Sequence, residues 1–179
     1  MIIKNTNFKG LRVISNQSHY DRRGFFREVF KKKIVRGHNP IFWCLSKSKK
    51  NVLRGLHLQL NYSQEKFVTV LEGKIFDVVV DLRINSKTFG KYFKIILSQK
   101  NCKSLLIPAG FAHGFLALNR ENIVLYSNNN YRSPKNEIGL LWNDEDLNIN
   151  WPKKKFIISK KDKKNMTLKS YLSILSKKN

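Results

Sequence analysis

Residues 66–82 read KFVTVLEGKIFDVVVDL, and this stretch decides the fold class of the 179-residue chain. Two runs rich in Val, Ile and Phe, Lys66–Leu71 and Lys74–Leu82, are separated by Glu72-Gly73, a pair typical of turns. Such short apolar runs on either side of a turn predict two β-strands, and they leave no room for a helix.

The second run alternates, so its side chains divide between the two faces of a strand. Asp77, Val79 and Asp81 share one face. The other face is wholly apolar, and we expect it to be the core face: Phe76, Val78, Val80 and Leu82.

Similar runs recur from about Val52 to Trp151, which is typical of an antiparallel sandwich or barrel. The further predicted strands are Tyr92–Leu97, Ser104–Ile107, His113–Ala117 and Ile123–Ser127. Near the C-terminus, apolar residues spaced i, i+3, i+4 and i+7 predict an amphipathic helix: Leu168, Tyr171, Leu172 and Leu175.

Length and composition predict a single domain spanning 1–179, because 41% of the residues are hydrophobic and a core of that size can fold alone. No run approaches the roughly 18 apolar residues of a membrane span, and residues 1–10 are too polar for a secretory signal. Cys44 and Cys102 match no metal or redox spacing. We therefore expect a cytoplasmic protein with isolated thiols and no membrane partner.

The charge is strongly positive, with 35 Lys and Arg against 12 Asp and Glu, a net +23. Such a chain attracts polyanions, so a non-catalytic basic binding protein is one candidate function. Most of the cations are lysines in scattered clusters, whereas reading of bases favours arginine, and no nucleic-acid-binding motif is present. These observations favour a solvated lysine coat without a specific nucleic-acid partner.

Four histidines are present, and two of them could carry chemistry. His57 alternates with Leu56 and Leu58 and therefore points away from the leucine face, while His113 follows a Pro and Gly turn. A structural histidine is the ordinary alternative for both. His19 and His38 lie in polar surroundings and are expected at the surface.

A metal centre is disfavoured by the residues near His57. Small barrels that bind a divalent ion commonly place a second histidine two residues later and then a carboxylate, but this chain has Gln59 and Lys66. An ammonium group repels a divalent cation. We therefore expect no metal site.

Taken together, the motifs resemble the dTDP-4-dehydrorhamnose 3,5-epimerase family. The resemblance covers about nine tenths of the chain and is carried, in order, by Arg23-Gly24-Phe25-Phe26 with Glu28, Val52–His57, Glu65–Val68, Phe76–Arg83, Ile107-Pro108 with Gly110–Phe115, and Trp142–Glu145. It implies an all-β, cupin-like double-stranded β-helix or jelly-roll barrel with a short C-terminal helix. It also implies a cofactor-free homodimer in which edge strands cross between subunits.

The implied reaction is epimerisation at C3 and C5 of dTDP-4-dehydro-6-deoxy-glucose to dTDP-4-dehydro-L-rhamnose. A proton next to a ketone requires a base, a stabiliser of the enolate oxygen and an acid on the opposite face. By resemblance, His57 is the base and Asp162 orients it, while Lys66 stabilises the enolate and Tyr126 is the acid. The implied substrate-binding residues are Arg23, Phe26, Glu28, Arg54, His113, Tyr131, Glu137 and Lys161.

Each of these assignments has a structural alternative. Asp162 follows Ser159 with the spacing of a helix cap, Lys66 could be one more solvated lysine, and Tyr126 a half-buried strand residue. Arg54 could be a cation on a sheet edge, and Glu28 and Glu137 could be surface ion-pair partners.

The chain departs from the family pattern at several positions. Phe42-Trp43-Cys44 stands where the family usually has Gln-x-Asn, and Ser127 and Arg132 replace a lysine and a tyrosine. These changes alter the surroundings of the sugar nucleotide but not the base or the acid. The alternative functions are those of related enzymes that act on another nucleotide-linked 4-keto sugar. They are a C3-only or C5-only epimerase, a 3,4-ketoisomerase, or an enzyme that acts on a GDP-linked substrate.

Overall fold

A computed structural model describes residues 1–153 and 155–176. The strands are β1 (Ile2–Asn5), β2 (Arg12–Ser15), β3 (His19–Asp21), β4 (Gly24–Phe26), β5 (Phe42–Lys49), β6 (Val52–Gln59), β7 (Lys66–Glu72), β8 (Lys74–Asp81), β9 (Tyr92–Ser98), β10 (Lys103–Ile107), β11 (Phe111–Ala117), β12 (Glu121–Asn128), β13 (Glu137–Gly139) and β14 (Ile157–Ile158). The helix α1 is Leu168–Ser176. The six strands predicted from the pattern are all present, with ends that shift by one or two residues.

Most of the strands form two sheets that enclose a common core. One sheet has the order β1-β2-β10-β7-β12-β5, and the other β13-β6-β11-β8-β9 with β14 beside β6. Val68 and Val124 of the first sheet pack in the same apolar cluster as Val79 and Phe115 of the second. Sheets that bury side chains against each other form a sandwich or barrel. The predicted all-β, cupin-like barrel with a short C-terminal helix is confirmed.

The crossing between the sheets depends on Gly73. This residue joins β7 in one sheet to β8 in the other and has a φ of 81°. A Cβ atom here would lie 2.2 Å from the carbonyl oxygen of Glu121. Only glycine fits at this turn because both the conformation and the close backbone approach exclude a side chain.

β8 is buried on both faces, so the prediction of a single core face is wrong. Val79 packs between the sheets, whereas Val78 and Val80 contact a second apolar cluster that includes Leu140 and Leu168. The C-terminal part of the chain covers the outer face of this sheet. The alternation of β8 correctly separated its two faces but could not show that later residues cover the second one.

Helix α1 packs on this second cluster through part of its predicted stripe. Leu168 and Tyr171 are buried and Leu175 is partly buried, but Leu172 is 43% exposed. The backbone N–H of Leu168 donates to Asp144 Oδ2 at 2.8 Å, which satisfies one free donor of the first turn. No helix in the described residues is long and apolar enough to span a membrane.

His38 is buried, which corrects the prediction that it lies at the surface. Its Nδ1 lies 2.7 Å from Glu65 Oε1, and its Nε2 lies 2.9 Å from Ser127 Oγ. Phe30 and Phe67 pack against the ring. Its polar neighbours in sequence gave no sign of these distant partners. His19 is exposed, as predicted.

Candidate active site

A cavity of about 770 Å³ opens between the two sheets. β5, β7 and β12 contribute one wall, and β6 and β11 contribute the other. β14 pairs with the start of β6 in parallel and brings residues 159–162 to the same place. Strands far apart in sequence therefore place their side chains around one space.

His57 and Asp162 form a hydrogen-bonded pair at this cavity. His57 Nε2 lies 2.7 Å from Asp162 Oδ1, and the N–H of Gly55 donates to Asp162 Oδ2 at 3.3 Å. Burial opposes ionisation of Asp162, but the hydrogen bond and charge of His57 hold its pKa below the usual range. An ionised carboxylate only accepts, so Nε2 carries a proton in this pair, and in the neutral form of the ring the lone pair is then on Nδ1. The imidazole can therefore act as a base through Nδ1.

The serine before Asp162 has the capping role that its spacing suggested. The backbone N–H of Asp162 donates to Ser159 Oγ at 3.0 Å, at the start of a short 3-10 turn. The carboxylate itself is directed to His57. Both interpretations of this segment are therefore compatible, because the serine fixes the backbone and leaves the acidic side chain free.

Lys66 begins β7 and contributes a cation to the cavity wall. Burial lowers the pKa of its ammonium group, and the negative charge of Glu137 partly opposes that shift. Within residues 1–153 and 155–176 the ammonium has neither a hydrogen bond nor an ion pair. Its three N–H donors are available to a bound anion or a carbonyl oxygen.

Tyr126 lies on β12, in the sheet opposite His57. Its hydroxyl is 3.2 Å from Ser46 Oγ, and burial raises the pKa of the phenol. Its ring packs edge-on against His113, with the ring centres 6.2 Å apart. A neutral phenol at this wall is a proton donor to whatever occupies the cavity.

His113 forms a second histidine–carboxylate pair, with Asp77. His113 Nε2 lies 2.8 Å from Asp77 Oδ2, and both side chains are buried. Burial raises the pKa of Asp77, and the nearby His113 opposes the rise. The sequence placed Asp77 on one strand face but suggested no role for it. His113 and His57 are directly opposite each other on β11 and β6.

Cations gather around Glu137 at the mouth of the cavity. Glu137 accepts hydrogen bonds from Arg132, at 3.0 Å, and from Lys161. Burial alone would raise the pKa of Glu137, but these two cations hold it at about 2. Arg54 lies near the start of β6, whereas Glu137 pairs with its end, and Arg54 Nε donates to Ser48 Oγ at 3.0 Å. The mouth therefore presents three cations against one ionised carboxylate, which suits an anionic ligand.

Four of the predicted site residues lie outside the cavity wall. Arg23 and Phe26 lie on or beside the exposed β3–β4 hairpin, where Arg23 pairs with Asp21. Glu28 forms a solvent-exposed ion pair with Lys31 at 2.6 Å, which is the structural alternative stated above for this residue. Tyr131 is 67% exposed, and its ring centre lies 6.2 Å from that of Phe42 in the cavity wall.

The remaining predicted residues lie together. The cavity wall contains His57, Lys66, Tyr126, Asp162, Arg54, His113, Glu137 and Lys161. Three residues that contact these side chains were not predicted from the sequence: Ser46, Ser48 and Asp77. Only the period-two alternation of β5 and β8 could have indicated that they face the cavity residues. In the described part of the chain, no three His, Cys, Asp or Glu side chains are arranged to hold a metal ion.

Comparison with known proteins identifies relatives of this chain. Residues 5–170 match the family model described as dTDP-4-dehydrorhamnose 3,5-epimerase. The enzyme of that name from Shigella flexneri is 46% identical over 148 residues, which is 79% of this chain and 82% of the relative. The one from Escherichia coli K12 is 40% identical over 94% of this chain and 95% of its own length.

Solved structures agree with these sequence matches. A dTDP-6-deoxy-D-glucose-3,5-epimerase from Legionella pneumophila Philadelphia 1, solved in complex with dTDP-4-keto-L-rhamnose, superposes with a TM-score of 0.89. It is 37% identical, and the superposition covers 94% of this chain and 93% of that one.

Proposed function

Because the chain belongs to the dTDP-4-dehydrorhamnose 3,5-epimerase family, we propose that it inverts C3 and C5 of dTDP-4-dehydro-6-deoxy-glucose with His57 as the base. It is an isomerase, and its substrate is a nucleotide-linked keto sugar. The product of this reaction is dTDP-4-dehydro-L-rhamnose. The assignment of roles to individual side chains is our proposal, and it rests on the geometry of the cavity.

The observation that carries the proposal is the placement of a base and an acid on opposite sheets. His57 on β6 and Tyr126 on β12 both line the cavity, and Lys66 lies in the same wall as Tyr126. A sugar ring held between the sheets would present one face to the imidazole and the other to the phenol. Inversion requires this arrangement, because the proton must leave one face and return to the other.

The reaction proceeds at each carbon in two proton transfers. His57 Nδ1 takes the proton next to the ketone, and the electron pair of that C–H bond moves toward the ketone oxygen. Lys66 donates a hydrogen bond to the resulting enolate oxygen, and Asp162 stabilises the imidazolium. Tyr126 then gives its proton to the carbon from the opposite face. Before the second inversion the imidazolium releases its proton to solvent, and the phenolate takes up a proton from solvent.

The cations at the mouth would hold the diphosphate. Arg54 is already oriented by Ser48, and Arg132 and Lys161 are oriented by Glu137. Guanidinium groups pair with phosphate oxygens through two parallel hydrogen bonds. Glu137 thus keeps two cations in place for a dianionic ligand.

We further propose that the protein is a homodimer that works as a single domain in the cytoplasm. Two exposed apolar surfaces support the dimer: the β3–β4 hairpin, with Tyr20 and Phe26 at 69% and 68% exposure, and the edge strand β5, with Leu45 at 63%. Apolar edges of this kind favour pairing with a second copy. Arg23, Phe26 and Glu28 would then enter the site of the partner subunit.

Incubation with the 4-keto sugar nucleotide in heavy water tests the proposal. We expect deuterium at two carbons in the wild-type product and at neither carbon with His57→Ala. Exchange at one carbon alone would indicate a single-carbon epimerase. Normal exchange by the His57 variant would remove the proposed base. Sedimentation of wild type and Phe26→Ser separately tests the dimer, and a monomeric wild type would contradict it.

A further inference from the structure

The inner face of β5 carries three small polar side chains in alternate positions, Cys44, Ser46 and Ser48. β5 pairs with β12 along its whole length, with Ser46 opposite Val124 and Cys44 opposite Tyr126. Ser46 and Tyr126 are therefore diagonal neighbours on the cavity side of this pair, a spacing that long side chains bridge.

A hydrogen bond joins these two neighbours. Ser46 Oγ lies 3.2 Å from the Tyr126 hydroxyl, and in the described residues the phenol has no other hydrogen-bond partner. Tyr126 is largely withdrawn from solvent, and the negative charge of Asp77 further disfavours the phenolate. The positive charge of Arg54, on β6, instead lowers the pKa of the phenol. Ser46 is thus the one hydroxyl placed to support Tyr126 when it becomes charged.

We infer that Ser46 is the positioning residue for the acid step: it aims the Tyr126 hydroxyl at the sugar and donates a hydrogen bond to the phenolate left after proton transfer. The inference rests on the proposed role of Tyr126. Ser46 does not touch the reacting carbon in this scheme, and it acts only through the phenol.

The direction of the hydrogen bond follows from the proton balance. As the new C–H bond forms, the O–H bond of Tyr126 breaks and its electron pair stays on the phenolate oxygen. Tyr126 needs its single proton for the carbon, so Ser46 must be the donor before and after transfer. A hydrogen bond to a charged acceptor is stronger than one to a neutral acceptor, so the contact stabilises the charged state more. A proton from solvent restores the phenol before the second inversion.

The other side chains on β5 cannot replace this donor. The thiol of Cys44 is a weak donor, and Ser48 lies opposite Asn122, four positions along β12 from Tyr126. Leu45 between them is apolar. Loss of the Ser46 hydroxyl therefore leaves the phenolate without a hydrogen-bond donor from this strand.

Ser46→Ala tests the inference through the ratio of two rates in heavy water. His57 can still form the enolate and return a deuteron to the original face, so exchange without inversion continues. Inversion should fall roughly 10- to 100-fold, the effect of one hydrogen bond to a charged group. The ratio of exchange to inversion should therefore rise.

Two further variants separate the hydroxyl from the size of the side chain. Ser46→Cys, which keeps a similar size but replaces the hydroxyl, should behave like Ser46→Ala. Ser46→Thr, which keeps the hydroxyl, should give a ratio near that of wild type.

Two controls keep this inference separate from the proposed function. Ser104→Ala removes a buried hydroxyl that bonds Thr69 at 2.8 Å, outside the cavity wall, and should leave the ratio unchanged. Tyr126→Phe should abolish inversion, and adding Ser46→Ala to it should change nothing further. If Tyr126→Phe inverts normally, the proposed acid is wrong and the inference fails with it. If Tyr126→Phe does not invert but Ser46→Ala keeps the wild-type ratio, only the role of Ser46 is overturned.

Discussion

His57 and Asp162 are separated by 105 positions in sequence, yet His57 Nε2 and Asp162 Oδ1 lie 2.7 Å apart. The pair exists because β14 runs beside the start of β6 and carries the chain past Gly55. The carboxylate selects the tautomer of the imidazole, and the tautomer determines which nitrogen can take a proton.

Asp162→Asn should therefore lower the rate of deuterium exchange at both carbons by at least about 100-fold. The amide can present its NH₂ group to the ring and stabilise the wrong tautomer. Exchange followed by mass spectrometry measures this effect. Asp146→Asn, on an exposed loop, is the matched control and should be unchanged. An Asp162→Asn variant that exchanges like wild type would show that the carboxylate does not orient His57.

Lys66→Met should reduce the exchange rate by about 100- to 1000-fold, because it removes a donor to the developing enolate oxygen but keeps the length of the side chain. The KM for the sugar nucleotide should change less than kcat, since the enolate is absent from the bound substrate. Lys74→Met, at the exposed start of β8, provides the control. A change in KM alone would assign Lys66 to ground-state binding.

Acid unfolding should depend on Glu137. The pKa of its carboxyl is about 2 in the folded protein, against an ordinary value of 4.5, so folding favours the ionised form. This contribution to stability is fully present above pH 4.5 and is lost as the pH falls toward about 2. Glu137→Gln should unfold at a lower denaturant concentration than wild type at pH 7. The two midpoints should converge at about pH 2, and a constant difference across this range would contradict the shift.

Alkylation should distinguish the two cysteines. Cys44 is exposed and lines the cavity, whereas Cys102 is buried. Desolvation raises the pKa of the Cys44 thiol, so iodoacetamide should react slowly at pH 7 and faster at pH 9. Bound dTDP-sugar should slow the labelling of Cys44, as followed by peptide mass spectrometry, and Cys44→Ser should remove the labelled peptide. Equal labelling with and without the sugar would place the ligand elsewhere.

Local pattern in the sequence correctly predicted six of the fourteen strands in the described residues, β7 to β12, and the helix. Alternation and turn residues are properties of neighbouring positions, so the runs around Gly73 and the spacing of Leu168 and Tyr171 were readable without a structure. The same patterns failed where distant residues decide burial. His38 is buried by Glu65 and Ser127, and the outer face of β8 is covered by the C-terminal segment.

The sequence by itself determined the fold class, the family and the candidate chemical groups, because residue types and short-range spacing carry that information. Only the tertiary structure decided which groups meet. It brought Asp162 to His57, placed Ser46 beside Tyr126, and left the β3–β4 hairpin with Arg23 outside the cavity. The reason is physical: sheet order and register set these distances, and both depend on how the two sheets pack rather than on any local stretch of chain.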